Sequence, residues 1–514
     1  MDTVTTNHFL SILKLNFITI SVVIGVITGG VISAFRLLIE AGLKLSMVGY
    51  ASIKHQPEMI LVVILVLLMI TVAVGLLLRL EPNIRGSGIP QVEAQVDGVF
   101  ELNWFSVLWK KFTAGVLTNS TGIFVGREGP SIQLGAAVGQ GLAAGLKQTG
   151  ATRRLSIATG AAAGLSATFS APLAGTFFVI EGMYRRFEPT ICLSALTSAL
   201  CSNFISERVF GLNPVLPIFY SQIYPPNNYW QLLPLGVLVG GLGFIYNRGL
   251  LTVPKWFQKI KFIPWYFYPG IAFLLVIPIG IFFPATIGGG ARLILLTATH
   301  KLPLSLILFF IVLRFTFGLL SYGSGVPGGF FLPLLTMGAL VGVAYGMLLV
   351  QLVDLPPEFV TNLLVFGMAG YLTAVCKAPF TAILLITELV GNTHNFMALA
   401  TVVLVAYLTS DFLGAQPIYH VLAAQLTKGQ RYLNSLDQLD QLCFTITQTS
   451  PLVNEFVETI AWPPTARLIT IERHQQKIIP QADTKLAAGD TLIFLVHHEQ
   501  NQLLTNQINR LIAD

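Results

Sequence analysis

The feature that most constrains this chain is a series of apolar segments too short to cross a bilayer, set between glycines and prolines and alternating with a few long ones. Uninterrupted apolar runs cover 15–38, 59–80, 232–246, 268–283, 304–320 and 397–413. Between them lie broken pieces at 111–124, 130–146, 158–167, 172–183, 333–350, 363–376 and 379–389. Most of these are only about 10 to 14 residues, whereas a straight helix needs about 20 to cross ~30 Å of hydrocarbon. Interrupted helices survive in a membrane only where their free backbone groups face protein or an aqueous cavity. The pattern predicts an all-α polytopic membrane body with helix ends pointing at an internal site. Composition agrees: 54% of the 514 residues are hydrophobic and 11% charged, against about 25% charged in soluble domains.

The broken pieces repeat. Gly160-Ala-Ala-Ala-Gly-Leu-Ser166 followed by Ala171-Pro172 matches Gly367-Met-Ala-Gly-Tyr-Leu-Thr373 followed by Ala378-Pro379 at a constant offset of 207, and Glu181 falls on Glu388. Upstream, Pro130, Gly135 and Gly139 match Pro333, Gly338 and Gly342 at an offset of 203. Two halves, about 60–210 and 230–425, therefore carry one pattern, and repeated discontinuous helices point to a binding site near the membrane midplane. Pattern alone leaves open whether the halves run parallel or inverted.

Charge divides the chain differently. From Gln430 onward there are 6 basic and 9 acidic residues, a balance of −3; the rest keeps 24 of the 30 basic and 15 of the 24 acidic residues, or +9. With the rise in polarity this marks a membrane domain over 1–426, a linker over 427–440 and a separate domain over 441–514. Arg79/Arg85, Arg153/Arg154, Arg185/Arg186 and Lys255/Lys259/Lys261 lie at segment ends that positive-inside counting makes cytoplasmic, and the tail with them. No basic stripe is interleaved with aromatics, which argues against a nucleic-acid partner. The four cysteines form no CxxC pair, and no metal-ligand cluster, nucleophile–base set or phosphate loop suggests an enzyme, a metal or a cofactor. The first apolar stretch lacks a cleavage pattern and reads as a span rather than a signal peptide.

Three glycine-rich loops adjoin the half-helices: Gly86-Ser87-Gly88-Ile89-Pro90, Gly126-Arg127-Glu128-Gly129-Pro130 and Gly328-Gly329-Phe330-Phe331-Leu332-Pro333. Pro417-Ile418-Tyr419 opens the last apolar piece. Glycine lets backbone approach a bound species, and proline suits the first helical turn. The unpaired N–H groups of a helix start carry about half a positive charge, so several converging starts bind an anion without a fixed cation. A permeant ion must also leave, which a full lysine or arginine would hinder.

Together the loops resemble the signatures GSGIP, GREGP and GxFxP of the CLC family of chloride channels and chloride/proton exchangers, over roughly residues 10–425. The resemblance implies an inverted-repeat body in the plasma (inner) membrane, a homodimer, and one anion pathway per subunit. It implies that Ser87 and Tyr419 donate hydroxyls to a central chloride. The backbone of Gly329, Phe330 and Phe331 would complete that site, and Gly126, Arg127 and Gly129 frame it. Ser87, rather than proline or methionine, resembles chloride-selective members. Glu128 would be the gate: a carboxylate filling the chloride cradle until protonation releases it. Pairing with Arg127 is the plain alternative. Lys111 either raises the local potential for anions or snorkels to the interface. Exchangers of the family commonly carry a second glutamate immediately after the one matching Glu181; here that position is Gly182. Protons would need water or another carboxylate such as Glu181, so coupled exchange, with weak coupling, stands beside a passive pH-gated channel.

In the tail, 443–447, 466–472, 477–480 and 491–496 read as strands, Gly489-Asp490 as a turn, and 499–512 as a helix. The segment from Ala466 to Val496 resembles the TrkA-C (RCK-C) subdomain of potassium-conductance regulators, which implies a dimer brace or a site for a small ligand such as a cyclic dinucleotide. Arg473, His474 and Lys477 could reach phosphates or simply form a solvated turn.

Overall fold

A computed structural model describes residues 2–218, 222–299, 302–427, 439–447, 450–473, 476–497 and 501–513. The chain divides into two units, Met1–Leu426 and Thr427–Asp514. The first is helical throughout, and among the described residues eight helices are long and apolar enough to span a membrane. Met59–Leu80 shows why: Leu61, Leu65, Met69 and Val72 point outward, the face a lipid-exposed helix presents.

The interior is built from close helix crossings at small residues. Helix Glu128–Gly145 crosses Gly150–Phe169 where Gly135 faces Gly160 and Gly139 faces Ser156. A side chain at Gly135 would collide with the Gly160 carbonyl. The same crossing recurs between Phe331–Leu352 and Val360–Cys376, with Gly338 against Gly367 and Gly342 against Leu363. Between apolar surfaces in a membrane, backbone approach of this kind supplies the packing energy that water expulsion supplies elsewhere.

The repeat extends to individual dihedral angles. Ser170 and Lys377 both end their helices in the left-handed region, at φ 53° and 57°. Ala171 and Ala378 follow at φ −134°, ψ 76° and φ −125°, ψ 76°. Next come the short helices Pro172–Phe177 and Pro379–Val390. The carboxylate of Glu181 accepts hydrogen bonds from the N–H groups of Phe380 and Thr381 at 3.1 and 2.8 Å, and that of Glu388 from Leu173 and Ala174 at 3.0 and 2.9 Å. Each half thus caps the short helix of the other. That reciprocity, residue i on j and its counterpart on the counterpart of i, is the pattern of a two-fold relation.

Several elements differ from expectation. The piece expected at 158–167 is a 20-residue helix, Gly150–Phe169, whose first turns hold Thr152, Arg153 and Arg154 and so escape an apolar count. The piece at 333–350 is the 22-residue helix Phe331–Leu352. Helix Pro189–Phe210 went unrecognised because its packing face is polar: Ser194, Ser198, Ser202 and Ser206 are buried. The Ser202 and Ser206 hydroxyls donate to the Ala163 and Ala167 carbonyls. The stretch Phe178–Tyr184 is wound as a π-helix, which periodicity does not foretell.

In the second unit, strands β1 (Leu439–Thr445), β2 (Ala466–Arg473), β3 (Gln476–Ile478) and β4 (Thr491–His497) form an antiparallel sheet in the order β1-β4-β2-β3. Leu504 and Ile508 of helix Asn501–Ala513 are buried with Phe444, Ile471, Leu492 and Phe494. Asp490 is buried in the turn before β4 and accepts two bonds from the Arg473 guanidinium, at 2.8 and 2.7 Å, and one from the Ala487 N–H. Hydrogen bonding to Asp490 moves the Arg473 pKa upward. Arg473 is therefore held in this turn, the plainer of its two readings. His474 and most of the expected linker 427–440 lie outside the described residues, and nothing is described of the Lys477 side chain.

The crossings set a mutational contrast. Gly160→Ala should destabilise the body by about 1–3 kcal/mol through overpacking, read as a lower melting temperature in detergent. Gly145→Ala, with open space around its Cα, should leave it unchanged or slightly raised.

Candidate anion pathway

Two of the glycine loops are joined by their own backbone. Gly126 N–H donates to the Gly329 carbonyl at 2.7 Å, and Gly329 N–H donates back to Gly126 at 2.8 Å. One exchange of hydrogen bonds thereby sets the starts of helices Glu128–Gly145 and Phe331–Leu352, one from each half, beside each other. The first loop is tied to the same region by Gly86 N–H donating to Val326 at 3.1 Å. Gly88 turns in the left-handed region at φ 87° to start helix Ile89–Val96. A Cβ at Gly129 would lie 2.7 Å from the Ser87 Cβ, so the second loop rests directly on the first.

Ser87 is 1% exposed, and its Oγ accepts from Ile89 N–H at 3.3 Å. Tyr419, at the start of helix Ile418–Leu426, stacks on Phe330 with ring centroids 5.2 Å apart and planes 14° from parallel. Its hydroxyl is buried without a hydrogen-bond partner. Glu128 is 1% exposed, and its carboxylate faces the N–H groups of Arg127, Glu128 and Leu332. Its Oε2 has no hydrogen-bond partner. A Cβ on Gly126 would collide with that oxygen, so a side chain here would displace the carboxylate from the helix starts. Arg127 donates to Glu40 at 2.7 Å. The ion pair of Arg127 is thus with Glu40, and the carboxylate of Glu128 stays over the helix starts.

Two water-accessible cavities reach these loops. One, about 410 Å³, is lined by Glu128, Gly126, Arg127, Arg36, Lys44 and Arg292. Another, about 390 Å³, is lined by Ser87, Gly86, Arg85, Tyr322 and Lys255. Both walls are rich in positive charge, which concentrates anions at their mouths.

Lys111 is fully buried and does not snorkel. Its Nζ donates to the carbonyls of Ile84 and Gly86 at 2.8 and 2.7 Å, clamping the loop that carries Ser87. Its counterpart at an offset of 203 is Arg314, also buried. Arg314 donates to Thr286 and Gly288 at 2.9 and 2.8 Å and to the Gly289 carbonyl. Arg314 and the triple-glycine turn Gly288–Gly290 before helix Ala291–Thr299 were missed from sequence. Aligning Lys111 with Arg314 at the repeat offset would have found them. Glu181 sits apart from the loops: it caps Pro379–Val390 and lines a separate cavity with Tyr419.

Residues 69–411 match the family described as voltage gated chloride channel. The chain belongs to that family. Residues 444–509 match the TrkA-C domain. The H(+)/Cl(-) exchange transporter ClcA of Salmonella paratyphi A is 33% identical over 368 residues, 70% of this chain and 78% of the relative. The ClcA of Klebsiella pneumoniae is 33% identical over 362 residues, covering 69% and 77%. Among solved structures, a slow cyanobacterial Cl-/H+ antiporter superposes with a TM-score of 0.77 at 29% identity, over 81% of this chain and 99% of its own. A eukaryotic CLC transporter shares the fold at 20% identity and a TM-score of 0.66, over 82% and 75%.

Lys111→Met would take the donor from the buried Ile84 carbonyl, at about 1–3 kcal/mol, and from the half-buried Gly86 carbonyl, at less. The expected outcome is a lower melting temperature and about tenfold weaker chloride binding by calorimetry, with Lys111→Arg closer to wild type.

Proposed function

We propose that this protein exchanges chloride for protons across a membrane, with Glu128 as the gate. The observation that carries the reading is the position of Glu128. A buried carboxylate with one unpaired oxygen lies over two helix starts pinned together by the Gly126–Gly329 exchange. The same N–H groups suit chloride, so carboxylate and chloride compete for one place. Protonation removes the charge that holds Glu128 there and admits chloride, which binds alongside the Ser87 and Tyr419 hydroxyls and the backbone of Phe330 and Phe331. A site built of N–H and O–H dipoles holds the ion while letting it leave. The activity of the ClcA relatives and of the cyanobacterial antiporter supports exchange.

A passive pH-gated channel is the second reading, and Gly182 favours it by leaving no titratable side chain where exchangers of the family commonly have one. Two copies would form a homodimer in the inner membrane, with the TrkA-C unit cytoplasmic and acting as a dimer brace or a small-ligand sensor.

Chloride and proton fluxes recorded together from reconstituted vesicles test this. Wild type should move protons uphill when driven by a chloride gradient, and chloride flux should rise as pH falls on the Glu128 side, because protonation opens the gate. Glu128→Gln should conduct chloride with no pH dependence and carry no protons. Chloride flux without proton flux in the wild type would select the channel; unchanged pH dependence in the variant would remove Glu128 from the gate.

A further inference from the structure

The cavity of about 390 Å³ beside Ser87 is set apart by its charge. Among the described residues, its lining includes Arg85 and Lys255 and no aspartate or glutamate. The cavities at Glu128 and at Glu181 each hold two acids among their lining residues. Glu81, the nearest acid to Arg85 along the chain, accepts from the Asn83 amide at 2.9 Å and from the Ser106 hydroxyl at 2.5 Å. Water in the cavity solvates its two cations but cannot balance them. A mobile anion can.

Arg85 is the cation placed to meet that anion. It stands two residues before Ser87, and both line the cavity. Its guanidinium is half-buried and held from two sides. The Trp265 ring lies with its centroid 5.8 Å from Cζ. On the other side is Gly325, which turns in the left-handed region at φ 82°, and a Cβ built there would collide with the Arg85 Nε. Tyr322, packed edge-on to Phe330 with ring centroids 4.8 Å apart, brings its hydroxyl to the same place, 3.3 Å from a Cβ built on Gly86. Arg85 therefore shares one small space with the backbone and side chains that frame the Ser87 end of the pathway.

Its donors distinguish it from the other cations at the loops. Lys111 and Arg314 are engaged by loop carbonyls. Among the described residues, the Arg85 guanidinium makes no hydrogen bond to a carbonyl and no ion pair with a carboxylate. Arginine keeps its charge at any physiological pH, and hydrogen bonds from an ionised donor are stronger than those from neutral ones. A halide moving from Ser87 into this cavity meets a fixed cation with open donors. Such a group binds the ion and slows its departure.

We propose that Arg85 is a further anion ligand at the Ser87 end of the pathway, binding chloride through its open N–H groups and so setting how tightly the ion is held and how fast it leaves. The inference rests on the chloride reading of the Ser87 pathway and is independent of whether protons are exchanged.

Chloride binding by calorimetry and chloride flux from vesicles test it in the Glu128→Gln protein, where the gate does not limit flux, with and without Arg85→Gln or Arg85→Lys. Arg85→Gln should weaken binding at least about tenfold, the worth of one hydrogen bond to a charged group. Maximal flux should rise at least about threefold, because release no longer breaks that contact. Arg85→Lys keeps the charge and should stay within about threefold of the parent on both measures. Unchanged binding in Arg85→Gln, as for a side chain that only anchors the chain at the membrane surface, overturns the proposal. So does weaker binding with level or lower flux, which makes Arg85 a brace of the Ser87 loop, and so does a lysine variant that behaves like the glutamine one. Should Glu128→Gln carry no chloride at all, the pathway reading itself fails, and this inference with it.

Discussion

The pair of hydrogen bonds between Gly126 and Gly329 is the contact on which the transport body depends. A single helix start offers a weak, diffuse attraction for an anion, screened in water and lost within a turn. Two starts held side by side, in a place from which bulk water is excluded, act on the same point at a lower effective dielectric. Because the two loops come from different halves, the site exists only when both halves have folded against each other.

What keeps those loops in place is a symmetric set of buried cations and reciprocal caps. Lys111 and Arg314 spend their donors on loop carbonyls, so their charge adds to the local potential while their geometry fixes the backbone. A cation engaged in this way attracts an anion without gripping it. Glu181 and Glu388 do the equivalent work for the short helices of the opposite half. The carboxylate most readily taken from sequence as a proton carrier is therefore engaged as a helix cap.

The second unit follows different rules. Its sheet and helix bury one apolar face, and the buried charge of Asp490 is answered by two bonds from Arg473. These are the economies of a small water-exposed α/β fold, in which a satisfied ion pair organises a turn and the apolar face supplies the stability.

Much of this was legible in the residues alone. Short apolar pieces bounded by glycine and proline require internal helix ends; the offsets of 207 and 203 require two like halves; and Gly-Arg-Glu-Gly-Pro places an acid on a helix start. Helix Pro189–Phe210, the π-turn at Phe178–Tyr184 and the loop at Gly288–Gly290 were hidden, because each owes its conformation to a partner distant in sequence. The same holds for Lys111, whose burial depends on two carbonyls more than twenty residues away. Sequence by itself determined which backbone groups would be left unpaired, since that follows from local steric and hydrogen-bonding rules. Only the tertiary structure decided where they point and what shares their space: the Gly126–Gly329 exchange and the reciprocal caps of Glu181 and Glu388 are properties of packing between halves some two hundred residues apart.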